Sequence, residues 1–314
     1  MIMDKTIWAI GGGKGGTGKS FVASSLGLSL AGLGHDVVLV DVDLGAPNLH
    51  TFLGMNDAHP NIGDFLAGRF PSLNDAVLRT PFERLGLVRG PENTFFIANL
   101  NHYKKLKLMR HIKTLEARHV VLDLGPGSSF NSLDFFISAG RPILVLTPEP
   151  TAIENGYYFL KSCILRILKL YMEHYRIQDM LQRLLEQIEK NSHSLYVFFQ
   201  MLIDQDRNYA HVLYRALKTF KPLLLLNMAR NERDELLGES IVKVTRKHLL
   251  LDLTFLGTVP YDARIHGCLI ERTPFPAAYP ASDAAAFFRR IAEDVAASGV
   301  PAGHQDESHE PDAL

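Results

Sequence analysis

The stretch Gly11-Gly12-Gly13-Lys14-Gly15-Gly16-Thr17-Gly18-Lys19-Ser20 constrains this chain more than any other, because Gly13 to Ser20 fit G-x-x-x-x-G-K-[ST]. The preceding Lys5-Thr6-Ile7-Trp8-Ala9-Ile10 reads as a buried strand, and Phe21 to Leu28 reads as a helix. A glycine-rich loop between a strand and a helix is a phosphate cradle: the glycines let successive N–H groups face one anion, and the helix N-terminus adds its positive dipole end. Lys19 is then placed to reach the β- and γ-phosphates of a nucleotide, and the Ser20 hydroxyl to bind Mg²⁺. The expected binding set is Gly13, Lys14, Gly15, Gly16, Thr17, Gly18, Lys19, Ser20 and Phe21. Gly11, Gly13 and Gly16 also satisfy the G-x-G-x-x-G of a dinucleotide-binding turn, but that reading leaves Lys19-Ser20 unexplained.

Two further strands end in acids. Asp36-Val37-Val38-Leu39-Val40-Asp41-Val42-Asp43 reads as a buried strand whose alternation puts Asp41 and Asp43 on one side. Arg118-His119-Val120-Val121-Leu122-Asp123 delivers one acid into the Gly125-Pro126-Gly127 turn, as a Walker B strand does. Carboxyl ends of strands are where α/β sheets place their ligands.

Lys14-Gly15-Gly16-Thr17-Gly18-Lys19-Ser20 resembles the deviant Walker A, K-G-G-x-G-K-[ST], of the MinD/ParA class of ATPases. The resemblance implies a doubly wound, mostly parallel α/β sheet of the P-loop NTPase type, with ATP and Mg²⁺ as ligands. It implies that Lys14 acts in trans, crossing a dimer interface to the partner's nucleotide as an arginine finger does. Asp41 to Leu49 resembles switch I of that class, so Asp43 would orient or deprotonate the attacking water while Asp41 and Asn48 support the site. The catalytic set is therefore Lys14, Lys19 and Asp43, and the metal set Ser20, Asp43 and Asp123, with Gly125 to Gly127 as switch II. Pro222 to Arg230 resembles the family's strand whose asparagine contacts adenine, here Asn227. Leu253 to Asp262 resembles the strand and loop on the other side of the base, bringing in Pro260 and Asp262. Pro148-Glu149-Pro150-Thr151-Ala152-Ile153-Glu154-Asn155-Gly156-Tyr157 is similar to the corresponding passage of the FlhG/FleN flagellar-number regulators more than to MinD itself. That branch commonly has a partner-activating segment ahead of the P-loop strand, which here opens at Lys5.

The matching passages span roughly residues 5–157 and 221–298, giving a core of 1–157 and 221–298. Residues 158–220 are expected to be a helical insertion, and 299–314 a disordered acidic tail. Within the insertion, Ile164 to Tyr171 is apolar except for Arg166 and Lys169, and Arg207 to Arg215 is basic. Either the first helix is buried against the core, or the unit exposes an apolar, basic-rimmed patch for a partner or membrane. The basic helix Lys104 to Lys113 reads as a solvated face.

Composition sets the outer limits. A net charge of −1 over 314 residues gives no global basicity that would advertise nucleic acid. No apolar run approaches the ~20 residues of a membrane span, and Met1 to Asp4 carries no signal-peptide pattern, so a cytoplasmic location is expected. Cys163 and Cys268 stand far apart without a C-x-x-C, which points to a reducing compartment and away from the cluster-carrying relatives. The function implied is an ATP-dependent homodimer, slow to hydrolyse ATP and stimulated by an unidentified protein partner. Such a switch regulates the position or number of a cellular structure. The alternatives are a nucleotide-gated scaffold and a ParA-like DNA-partitioning ATPase; a small-molecule kinase or synthetase leaves Lys14 without a use.

Overall fold

A computed structural model describes residues 5–56, 60–91, 100, 102–175 and 195–298. Eight strands form one sheet in the order β3-β4-β2-β5-β1-β6-β7-β8. In chain order they are β1 (Thr6–Gly11), β2 (Val37–Val42), β3 (Leu78–Arg79), β4 (Leu85–Val88), β5 (His119–Leu124), β6 (Arg141–Leu146), β7 (Leu223–Ala229) and β8 (Thr254–Pro260). All neighbours pair in parallel except the two-residue β3, which runs antiparallel to β4 at the edge. Parallel strands buried on both faces read as continuous apolar runs, as in Val37-Val38-Leu39-Val40 and Leu223-Leu224-Leu225-Leu226.

Alternation along each strand divides the core into two layers. Ala9, Val38, Val40, Leu224 and Leu226 face one layer; Trp8, Ile10, Leu39, Leu223 and Leu225 face the other. The second layer is covered by α1 (Lys19–Gly32), the short α2 (Leu49–Phe52) and, toward the C-terminus, by α10 (Arg264–Glu271), α11 (Phe275–Ala278) and α12 (Asp283–Ser298). The first is covered by α3 (Ile62–Leu66), α4 (His102–Lys113), α5 (Phe130–Ser138), α6 (Pro150–Tyr175), α7 (Leu195–Gln205), α8 (Arg207–Thr219) and α9 (Glu232–Leu249). The doubly wound, mostly parallel α/β class read from the sequence is the class observed.

Helix α6 begins at Pro150 and continues unbroken past residue 158, where the sequence places the start of an insertion. Its buried stripe of Phe159, Leu160, Cys163, Ile164, Ile167 and Leu168 joins the same core as the sheet, together with Phe198 and Leu202 of α7 and Leu213 and Leu217 of α8. Ile164 and Leu168, named as members of an apolar helix, are thus covered by the protein's own interior. Met180 to Leu185 and the acidic tail lie outside the described residues. No helix among the described residues is long and apolar enough to cross a membrane.

Candidate functional site

Strand order brings the sequence's separate motifs to one edge. β1 lies between β5 and β6, so the loop Gly12 to Gly18 leaves the sheet at the point where chain order reverses, the position at which open α/β sheets open a crevice. Register then aligns the acids laterally: Ile10 pairs with Asp123, and Asp123 with Asp41. A cavity of about 590 Å³ opens there, within the range of small-molecule sites.

Three glycines of the loop, Gly12, Gly13 and Gly18, are required by space. A Cβ on Gly13 would overlap the Asn155 carbonyl oxygen at the start of α6, and Gly18, at φ 89°, leaves no room for one beside the Asn227 amide. Asn227 is buried at the end of β7 and donates from Nδ2 to the Thr17 carbonyl at 2.9 Å. It therefore ties β7 to the loop across the chain. Met228, which follows it, adopts φ 62° and places its side chain along the cavity wall. A left-handed methionine is uncommon, and here it falls at the break in β7–β8 register between Leu226 and Ala229.

Gly15, Gly16, Gly18, Lys19, Ser20, Phe21, Asp43, Asn227, Pro260 and Asp262 line the cavity. Lys19 is buried, and its ammonium donates to the Lys14 carbonyl at 3.2 Å. Burial draws that ammonium below its ordinary value, against the opposing pull of Asp123 and Asp43. Asp41 is buried and accepts from the backbone N–H groups of Asp43 (3.2 Å) and Leu49 (3.0 Å). Asp43 accepts from the N–H groups of Gly45 and Ala46, both at 3.1 Å, which shapes the turn that follows β2. Asn48 also lines the cavity and closes the same turn by donating to the Ala46 carbonyl at 2.8 Å.

Asp123 is buried near the end of β5, with the Ser20 hydroxyl and the Lys19 ammonium close to its carboxylate. Burial first, and the charge of Asp43 second, push its carboxyl up to about 7, against the favourable pull of Ser20 and Lys19. Burial and the neighbouring Asp123 push Asp41 well above the carboxylate range as well. The Asp123 Oδ1 is buried without a hydrogen-bond partner. An orphaned carboxylate oxygen beside a serine hydroxyl, in a buried pair of acids, is the donor set a divalent cation would satisfy. Among the described residues no three His, Cys, Asp or Glu side chains converge as an all-protein metal site. That fits Mg²⁺, which takes one or two carboxylates and completes its shell with water and phosphate oxygens.

Besides Asp41 and Asp123, three sequence-named residues stand apart from the cavity wall. Thr17 is buried under the loop, its hydroxyl unpartnered. Gly13 packs on α6. Lys14 turns outward: its Nζ lies 3.3 Å from Glu149 Oε2 and 3.0 Å from Thr151 Oγ1, and the pair is largely exposed. Asp262 lines the cavity, but its carboxylate is held by Arg264, whose Nε lies 2.9 Å from Oδ1, and that pairing keeps it below the usual carboxylate range. Sequence reasoning did not pick out Phe52, Met228, Tyr261, Ile265 and His266, which complete the wall. They come from three separate segments and follow no motif. The Glu149 and Thr151 partners of Lys14 lie in the Pro148 to Tyr157 passage, where no sequence signal marks them as partners of the loop.

The chain is similar to known proteins in sequence and in fold. The antiactivator FleN of Pseudomonas aeruginosa is 25% identical over 298 residues, covering 94% of this chain and 87% of FleN. Among solved structures, the septum site-determining protein MinD of Pyrococcus horikoshii, complexed with Mg-ADP, superposes with a TM-score of 0.61 at 23% identity, covering 93% of this chain and 96% of that one. The MinC:MinD complex of Aquifex aeolicus gives a TM-score of 0.62 at 17% identity, covering 95% and 98%. Residues 8–275 match the model of the CobQ/CobB/MinD/ParA nucleotide binding domain, and the chain belongs to that family.

Proposed function

We propose that this chain is an ATP-dependent dimerisation switch, a slow ATPase whose two states govern the position or number of a cellular structure. The observation that carries the reading is the place of Lys14. Its side chain does not line its own cavity but is turned outward onto Glu149 and Thr151, on the exposed rim of the P-loop. Lys19 already occupies the interior of the loop. A second loop lysine directed away from its own nucleotide has a use on the nucleotide of a second copy. Similarity to FleN over nearly the whole chain supports the regulatory side of the reading.

In this scheme the N–H groups of Gly15 to Gly18 and the Lys19 ammonium hold the phosphates, and Met228 and Tyr261 flank the space left for the base. Ser20 and Asp123 would hold Mg²⁺, which when bound would neutralise the phosphate charge and the buried acids together. Asp43, fixed by the Gly45 and Ala46 N–H groups through Oδ1, keeps Oδ2 for a water aimed at the terminal phosphate. Lys14 of one copy leaves Glu149 and Thr151 to stabilise charge developing at the other site. Positioning and charge stabilisation carry phosphoryl transfer, so a lone chain lacking the second lysine is slow, and a missing element of this kind is worth about 10³–10⁵ in rate. The test is the rate of ATP hydrolysis per chain against protein concentration. The reading expects it to rise with concentration in wild type, and Asp43→Ala to retain ATP while losing turnover. A rate per chain that is constant and fast at every concentration would refute it.

A further inference from the structure

Away from the nucleotide cavity, one carboxylate ties three helices together. Asp134 of α5 is buried and accepts from Arg166 of α6 through Nε at 2.6 Å and Nη2 at 3.0 Å, and from the Lys105 ammonium of α4. Burial alone would raise this carboxyl, but Arg166 and Lys105 outweigh it and hold it below the ordinary range. Arg166 and Lys105 both pair with Asp134, and a buried ion cluster of this kind fixes the side chains that form it. Arg166 is therefore held in place.

Phe130, the first residue of α5, lies four residues before Asp134 and so on the same side of the helix. Its ring is 64% exposed. Arg166 stands 5.2 Å and Lys169 5.9 Å from the ring centroid. The helix start is rigid, since Ser129 caps it by accepting from the Ser132 N–H at 3.1 Å. An exposed aromatic on a capped helix, flanked by one fixed cation and one solvent-facing cation, combines the features that concentrate binding energy at protein interfaces.

We propose that Phe130, Arg166 and Lys169 form a docking surface for an acidic segment of another protein, whose apolar anchor covers the Phe130 ring while its carboxylates face the two cations. Charge complementarity selects the partner. A nucleic-acid backbone calls for a row of cations along its track, whereas here two cations surround a single apolar knob, and one of them already shares its charge with Asp134. A lipid surface calls for an apolar helix face free to insert, whereas the apolar face of α6, with Phe159, Ile164 and Leu168, is buried in the core. None of its residues lines the nucleotide cavity.

The test uses the full chain and fluorescence anisotropy with defined probes: an acidic amphipathic peptide of about twenty residues bearing Leu and Phe anchors, a poly-glutamate peptide of equal length, a short DNA duplex, and phosphatidylglycerol vesicles. The amphipathic peptide is expected to bind most tightly, and Phe130→Ala and Lys169→Glu are each expected to weaken it by about tenfold or more at unchanged melting temperature. Any other pattern overturns the proposal: no peptide binding, tighter binding of poly-glutamate, duplex or vesicles, or peptide affinity that survives either substitution.

Discussion

Replacing Asn227 with alanine separates two roles for a residue that the sequence assigns to the adenine. In the structure its Nδ2 is committed to the Thr17 carbonyl at 2.9 Å, in a buried position, with Gly18 pressed against the same amide. Asn227→Ala removes the donor and leaves the Thr17 carbonyl without this partner. An unsatisfied buried backbone acceptor costs roughly 1–3 kcal/mol. For a chain of this size about 2 °C is lost per kcal/mol, so the nucleotide-free protein should melt about 2–6 °C lower. The P-loop should also lose definition, weakening ATP and GTP alike, since the phosphates and not the base read the loop. The assay is differential scanning fluorimetry without nucleotide, followed by titration with both triphosphates. An unchanged melting temperature in the absence of nucleotide, with a loss confined to ATP-over-GTP preference, would show that Asn227 acts on the base and refute the tether.

His119 supplies a pH dependence. It is buried at the start of β5, with Trp8 Nε1 3.5 Å from its Nδ1, and burial first, then His35 and Arg118, push its pKa down to about 4. The unfolded chain takes up that proton near 6.5 and the folded chain only near 4, so the stability held above pH 6.5 is lost as pH falls through this window. The slope is about 1.4 kcal/mol per unit, or roughly 3 kcal/mol at most in all, and denaturant unfolding of His119→Gln should show a shallower acid slope than wild type. Leu168 is fully buried in α6, so Leu168→Glu should cost at least about 3 kcal/mol in urea unfolding, whereas Leu165→Glu, at a half-buried position of the same helix, should cost less. Equal costs at the two positions would contradict the orientation of α6.

The parts of the site that were legible in the sequence are those written within a few residues. Gly13 to Ser20 needs only the adjoining strand and helix to be a phosphate loop, and Asp41, Asp43 and Asp123 are marked by ending apolar runs. What the sequence withheld depends on chain crossings. Asn227 meets Thr17 across 210 positions and Lys14 meets Glu149 across 135, so neither pairing leaves a local signal. The left-handed turn at Met228 is likewise unmarked, because nothing in the type of that residue calls for it. The Asp262–Arg264 pairing, two residues apart, was within reach of sequence reasoning and shows that Asp262 enters the cavity with its charge already engaged. The helical flank was legible as a type but not as a boundary. The apolar period of α6 is plain from Phe159 to Leu168, yet the helix starts at Pro150, and its second turn packs on the P-loop where Asn155 meets Gly13.

Sedimentation velocity in ATP and Mg²⁺ tests the central claim most directly, using Asp43→Ala to hold the triphosphate state, with and without Lys14→Ala. If Lys14 serves the nucleotide of a second copy, Asp43→Ala should sediment as a dimer with ATP and as a monomer with ADP, and the double variant should remain a monomer while still binding ATP. A double variant that dimerises as fully as Asp43→Ala would contradict the account.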